Sequence, residues 1–385
     1  MRLDRFDSAA FLREYWQKKV LLIRNPWDSW RNPLEPAELA GLACEDEVES
    51  RLITRTGDKW EVEHGPIPEQ RFEALGSKGW TLLVQAVDQH VPDVADLLAP
   101  FRFIPNWRID DVMVSYAADQ GGVGPHFDHY DVFLIQGLGR RRWRIGARCG
   151  ADAALLPNDD LRLLATFEAV AEWILEPGDI LYVPPGVAHE GTAVGDDCMT
   201  YSIGFRAPSR GDLIAQWSEH LVADMPDDDL YADPDLEPQD NPGEIGAHAL
   251  ARLHAMVTEA MRDRDSFARW FGRFSTSPKY PDMDWRPDAP IAREELRARL
   301  SAGQALSRNP AGRFSFVRQA AGPLLLFVDG SCFECGEQSA ALAELICAKD
   351  RIDVDADLIG SEEAAALIET LVNQGSLAFD EEGEE

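Results

Sequence analysis

The chain has 385 residues, 45% of them hydrophobic, enough for two or three separately cored domains, which excludes a disordered or low-complexity protein. Asp and Glu number 68 against 37 Lys and Arg, a formal net charge of -31. Such a field repels nucleic-acid phosphates and draws cationic partners, so a basic protein substrate is expected and direct nucleic-acid binding is not.

In chain order, the opening residues 1–7 carry no apolar signal core and no later run reaches bilayer length, so a cytoplasmic protein with no membrane contact is expected. Ser8 is placed to cap a helix over 8–17, followed by a strand at 20–24. A second short helix over 36–43 has proline in its tolerated first turn, and 49–63 reads as a charged hairpin around Thr56-Gly57-Asp58. From Trp80 onward, short apolar runs recur at 81–85, 111–116, 132–136, 141–145, 173–176, 180–183 and 199–205, each bounded by turn residues. That spacing predicts a β-barrel or sandwich rather than a parallel α/β sheet.

The pattern changes after Ala207-Pro208-Ser209. Helices are predicted over 211–222 and 245–263; in the second, Leu250, Leu253, Val257 and Met261 form one apolar stripe. Between them runs an acidic, proline-bearing linker at 224–242, either a solvated connection or a contact for a basic partner. The aromatic cluster Phe267, Trp270, Phe271 and Phe274 is spaced for packing, within this domain or against a second subunit. Residues 286–385 predict a helix at 292–300, strands at 314–317 and 324–328, helices at 339–347 and 361–374, and a strand at 376–379. This is a winged-helix-like order, in a module too acidic for the usual DNA-binding use.

The six cysteines, Cys44, Cys149, Cys198, Cys332, Cys335 and Cys347, are scattered and read as reduced thiols. Cys332-Phe333-Glu334-Cys335 is a lone C-x-x-C with no histidine beyond His254, so neither a zinc site nor any other function is assigned to it.

The chemistry concentrates in the strand-rich half. Residues i and i+2 of a strand share a face, so His126 and Asp128 of Gly124-Pro125-His126-Phe127-Asp128 are expected to converge on one metal from one strand. About sixty residues later, a turn at Gly178-Asp179, a buried strand at 180–183 and a rigid Pro184-Pro185-Gly186 turn deliver His189 to the start of the next strand. Two histidines and a carboxylate form the facial set that holds non-haem Fe(II) with open positions for co-substrate and O2. On the strand after the glycine-flanked turn at 137–139, alternation places Arg141 with Trp143 and Ile145 on the inward face. A buried arginine needs an anion. That anion is either the distal carboxylate of 2-oxoglutarate, matched by the guanidinium fork, or a protein Asp or Glu.

The run Gly121-Gly122-Val123-Gly124-Pro125-His126-Phe127-Asp128, with Tyr130-Asp131-Val132-Phe133, Gln136-Gly137 and Arg140-Arg141-Arg142-Trp143, resembles the bacterial ribosomal oxygenases of the JmjC superfamily, the YcfD type. So do Pro184-Pro185-Gly186, His189-Glu190-Gly191 and the stretch from Tyr201 to Pro208, and in the opening segment Phe11-Leu12, 15–19 and 21–24. The likeness is dense over about 1–208 and looser beyond. It implies a mixed α and β protein: a JmjC double-stranded β-helix, cupin-like, over 1–208, a helical dimerisation domain over 209–285 and a winged-helix-like domain over 286–385. It implies an Fe(II)- and 2-oxoglutarate-dependent hydroxylase, acting on an arginine of the L-sixteen protein of the large ribosomal subunit, in a homodimer.

By that likeness His126, Asp128 and His189 hold the iron, Arg141 takes the distal carboxylate, and Ser115 contacts the co-substrate. For a substrate arginine, Asp110 and Asp111 are candidates for pairing with the guanidinium, and His129 and Tyr130 for packing against it. The stretch 194–198 is one residue longer than the family pattern, which leaves the register of Thr200 open. Two other readings stand beside this one: a JmjC-type demethylase of methylated lysine or arginine, and a non-catalytic ribosome-associated binding protein on a retired barrel. The intact set of His126, Asp128, His189 and Arg141 weighs against the last.

Overall fold

The computed structural model describes residues 1–57, 59–150, 152–158, 160–354 and 360–380, so Asp58 of the expected turn lies outside the described residues. The chain forms two compact units, Met1–Ala207 with the short stretch Asn309–Ala311, and Pro208–Arg308 with Gly312–Glu385.

The first unit is built on eleven strands: β1 (Leu21–Ile23), β2 (Ser50–Thr56), β3 (Lys59–His64), β4 (Trp80–Val84), β5 (Ile109–Ala117), β6 (Val132–Leu138), β7 (Arg141–Arg148), β8 (Ala171–Leu175), β9 (Ile180–Val183), β10 (Val187–Ala193) and β11 (Cys198–Phe205). They form an eight-stranded antiparallel sheet in the order β1-β9-β6-β11-β5-β4-β2-β3 and a three-stranded sheet in the order β10-β7-β8. This is the double-stranded β-helix that the resemblance implies, within the barrel-or-sandwich class expected from the strand spacing.

Strand alternation sorts the large sheet. Val112 and Val114 of β5, Phe133 and Ile135 of β6, and Tyr201 and Ile203 of β11 point outward into the main core, packed with Phe11, Leu39 and Phe101. The inward face carries a smaller apolar floor, in which Val132, Leu134, Leu181 and Val183 meet Trp143 and Ile145 of the small sheet.

The first helix differs from expectation. It spans Ser8–Glu14, and its cap is Asp7, whose carboxylate accepts from the Ala10 N–H. It stops short of Gln17 because Gln17 adopts φ 57°. In that turn Gln17 donates its backbone N–H to the Tyr182 hydroxyl and its side-chain amide to Asp131. Asp131, fully buried, also accepts from Tyr182 at 2.6 Å and from Arg108 at 3.4 Å. One carboxylate thus ties the N-terminal helix, the entry to β5, the entry to β6 and strand β9 together.

In the second unit, the helix expected over 245–263 spans Ala247–Ala260, and a further helix, Arg264–Thr276, follows where only an aromatic cluster was expected. Asp263 breaks the run: its side chain accepts from the N–H groups of Asp265 and Ser266 and caps the second helix, which carries the aromatic cluster. Leu250, Leu253 and Val257 of the first helix remain exposed, as does Met261 beyond it.

Further on, Phe314–Val317, Leu324–Val328 and Ser331–Cys335 form an antiparallel meander, and Leu306–Arg308 pairs with Arg351–Ile352 and with Leu377–Phe379. The helices Arg293–Ser301, Glu337–Ala348 and Glu362–Asn373 share a core with them. Three further strands, 306–308, 331–335 and 351–352, lie outside the expected set, because none is a continuous apolar run. Cys332 and Cys335 lie three apart on one strand and so face opposite sides, with only Cys335 buried. Among the described residues no helix is long and apolar enough to cross a membrane.

Candidate metal centre and co-substrate pocket

Among the described residues one group of three or more side chains is arranged to hold a metal: His126, Asp128 and His189, with one potential ligand atom each, all within 4.8 Å of one another. His189 Nε2 stands 3.6 Å from Asp128 Oδ2, and the two imidazole centroids are 4.4 Å apart.

The backbone route to this geometry departs from expectation. His126 and Asp128 do not share a regular strand. His126 makes an isolated bridge, exchanging both backbone hydrogen bonds with His189 at 3.0 and 2.8 Å, and the Asp128 carbonyl accepts from the Gly186 N–H at 2.7 Å. A strand cannot extend back from this point, because Pro125 has no N–H and Gly124 adopts φ 94°. Pairing with His189 of β10 and with Gly186 of the turn before it holds His126 and Asp128 beside His189.

Each imidazole is oriented by the chain two residues before it. His126 Nδ1 lies 2.9 Å from the Gly124 carbonyl, and His189 Nδ1 lies 2.9 Å from the Val187 carbonyl. A carbonyl only accepts, so both Nδ1 atoms carry the proton and both Nε2 lone pairs are free for a cation. Burial and the neighbouring His126 ring hold the His189 pKa below its ordinary value, against the pull of Asp128, so this imidazole is kept neutral. Two neutral imidazoles and a carboxylate are the donor set of non-haem Fe(II).

From His189 the inward face of the small sheet leads to Arg141. In the β7–β10 register, Ile145 pairs with His189, Trp143 with Gly191, and Arg141 with Ala193, so all six share one face. The Trp143 ring lies over Gly191, where a Cβ would come within 2.7 Å of it, and its centroid is 5.8 Å from that of His189. Arg141 is 4% exposed and its guanidinium lies 5.8 Å from the Trp143 ring. Its Nε donates to Cys198 Sγ at 3.4 Å, while its Nη2 is buried with no hydrogen-bond partner among the described residues. Of the two anions left open by the sequence, no protein carboxylate pairs with Arg141 among the described residues. An arginine so placed fits the distal carboxylate of a dicarboxylic acid whose other end reaches the metal.

Ser115, Thr200 and Gln136 form one rung across β5, β11 and β6, all buried. The Ser115 hydroxyl donates to the Thr200 carbonyl at 3.5 Å, and Thr200 Oγ1 donates to Gln136 Oε1 at 3.3 Å. The register of Thr200, left open by the long 194–198 stretch, is set by a β-bulge between Met199 and Thr200. Gln136 and Cys198 were not singled out as site residues, although β11 alternation places Cys198 on the same face as Thr200.

The residues proposed for a substrate arginine are distributed unevenly. Asp111 is buried, its carboxylate accepting from Gln85 Nε2 at 2.7 Å and from the Ala86 N–H at 3.1 Å. Asp110 is half-buried and also engaged. Tyr130 is 43% exposed at the rim. Desolvation of its hydroxyl, with the charges of Asp128, Asp111 and Asp110 and a hydrogen bond to Asp128, raises its pKa. Gly204 faces both neighbours: a Cβ there would stand 3.9 Å from Asp111 Oδ1 and 4.0 Å from Tyr130 Cε2. His129 is exposed, its ring packed edge-on against Phe127 at 5.3 Å.

Residues 96–213 match the JmjC domain family, and 259–378 match the ROXA-like winged helix, which begins inside the helical region. The chain is 40% identical over 298 residues, 77% of its length and 79% of the relative's, to the ribosomal protein uL16 3-hydroxylase of Escherichia coli K12. It superposes on the X-ray structure of E. coli ycfD with a TM-score of 0.90 at 34% identity, covering 97% of this chain and 98% of that one. The structure of that ribosomal oxygenase in complex with cobalt and 2-oxoglutarate gives a TM-score of 0.87 at the same identity, over 99% of each chain. With a paired His-Asp-His set, an inward arginine and this extent of identity, the chain belongs to the bacterial JmjC-type ribosomal oxygenases.

Proposed function

We propose that this protein is an Fe(II)- and 2-oxoglutarate-dependent hydroxylase of an arginine side chain in the large-subunit ribosomal protein uL16. The observation that carries the reading is the buried, unpartnered Nη2 of Arg141 on the same inward face as His189, in a chain 40% identical to a uL16 3-hydroxylase. His126, Asp128 and His189 hold the metal, and Arg141 binds the distal carboxylate, with Ser115 on the opposite wall of the pocket. Fe(II) with 2-oxoglutarate and O2 supplies the oxidising power to place one oxygen atom in a C–H bond, with succinate and carbon dioxide released.

The chain's own contribution is positional. Carbonyls of Gly124 and Val187 aim the two imidazoles. The Trp143 ring walls the space between the metal ligands and Arg141, keeping water from the arginine. Asp110 and the buried Asp111 supply negative charge for the substrate guanidinium, and at the exposed edge Tyr130 and His129 supply flat surface beside it.

The net charge of -31 favours capture of a basic ribosomal protein and disfavours direct binding to nucleic acid. The exposed stripe Leu250, Leu253, Val257 and Met261 supports a homodimer through a helical domain over 209–285, followed by the winged-helix-like domain over 286–385. A cytoplasmic location suits a ribosomal substrate. The test is incubation of a uL16 peptide with the Fe(II)-loaded protein, 2-oxoglutarate and O2. Succinate released in step with a hydroxylated arginine supports the reading; formaldehyde release from a methylated peptide indicates demethylation instead, and no turnover with any ribosomal extract indicates a binding protein.

A further inference from the structure

Among the described residues Arg141 has one hydrogen-bond partner, and it is a sulfur. Cys198, fully buried on β11, accepts from Arg141 Nε at 3.4 Å and from Gln136 Nε2 at 3.5 Å. Gln136 is itself locked, donating to the Leu138 carbonyl at 2.7 Å and accepting from Thr200 Oγ1 at 3.3 Å. Around the sulfur the lining is small: Cys198 packs with Ala117 and Ala193, and Ala193 is the β10 residue paired with Arg141. No larger side chain in that cluster competes for the guanidinium.

The choice of acceptor has a physical consequence. A carboxylate at this position would hold the guanidinium firmly, but it would also neutralise it and compete with an incoming dicarboxylate. A thiol sulfur is a weak acceptor. It takes up the Nε edge and leaves the opposite edge, Nη2, desolvated and unfilled.

We propose that Cys198, backed by Gln136, is the positioning residue for Arg141: it fixes the guanidinium rotamer through Nε and leaves Nη2 for the distal carboxylate of the co-substrate. This rests on the reading of Arg141 given above.

The test is calorimetric titration of 2-oxoglutarate into the full-length protein loaded with Mn(II) under exclusion of O2. It compares the unaltered chain with Arg141→Ala, Cys198→Ala, Cys198→Val, Cys198→Ser and Cys198→Asp, each checked for folding by circular dichroism. Losing one modest hydrogen bond corresponds to a Kd raised about three- to tenfold for Cys198→Ala and Cys198→Val. Cys198→Ser, which restores an acceptor, stays within about twofold, and Cys198→Asp shows the largest loss among the Cys198 variants. In turnover assays the alanine effect falls on the 2-oxoglutarate KM rather than on kcat.

If Arg141→Ala binds as the unaltered chain does, the assignment of Arg141 itself is wrong. If Arg141→Ala loses binding while folded Cys198→Ala and Cys198→Val do not, the role of Cys198 is overturned and that of Arg141 stands. An equal loss in Cys198→Ser and Cys198→Ala also overturns it, since a packing role alone would give that pattern.

Discussion

The outward and inward faces of the large sheet are made by the same strands and follow opposite rules. Outward, Val112, Phe133, Ile135, Tyr201 and Ile203 pack without polar gaps, and the buried Asp131 beside them accepts from Tyr182, Gln17 and Arg108. Inward, the rung Ser115, Thr200 and Gln136 is polar, and Arg141 on the facing small sheet keeps a buried donor without an acceptor among the described residues. A charge left open inside a protein is costly, so it persists where a ligand completes it. Complete pairing marks the side that carries stability, and incomplete pairing marks the side that carries function.

That contrast is broken or sharpened by substitution on each face. The largest effect is expected from His126→Ala: succinate formation falls to background in a coupled assay while circular dichroism shows a folded protein. On the opposite face, Phe133→Ala removes a fully buried ring from the aromatic packing with Phe11, Phe101 and Tyr182. Denaturant unfolding should show a loss of about 3–5 kcal/mol.

Arg141→Ala deletes a charge-assisted contact and should raise the 2-oxoglutarate requirement by about ten- to a hundredfold, with kcat changed much less. An unchanged requirement would remove the carboxylate assignment. The smallest effect is that of Asp131→Asn, which keeps one acceptor oxygen but loses the charge facing Arg108, and should cost about 1–3 kcal/mol in unfolding experiments with 2-oxoglutarate binding unaffected. Weakened binding there would show that the two faces are not separable in this way.

Much of the inward face was legible from local pattern. Alternation on β7 is a period-two signal carried by Arg141, Trp143 and Ile145 themselves, so it needed no long-range information. The Pro184-Pro185-Gly186 turn marked the entry to β10 in the same way. Where reasoning missed, contacts distant in sequence decided the outcome. His126 and Asp128 are held by pairing with His189 of β10 and with Gly186 of the turn before it rather than by a strand of their own, because Gly124 and Pro125 interrupt it. Asp111 is held by Gln85 and Ala86, some 25 residues away. The contact of Cys198 with Arg141 spans 57 residues and joins two sheets, and no local spacing encodes it. In the second unit, Asp263 reads as the end of one helix, whereas its side chain accepts from the Asp265 and Ser266 N–H groups and starts the next.

The central claim is tested most directly by tandem mass spectrometry of uL16 purified from cells with and without the gene for this protein. The account predicts one arginine of uL16 heavier by a single oxygen atom when the gene is present and unmodified when it is deleted, with the His126→Ala variant failing to restore it. An arginine that carries the same mass in both strains, or a modification restored by the His126→Ala variant, would contradict it.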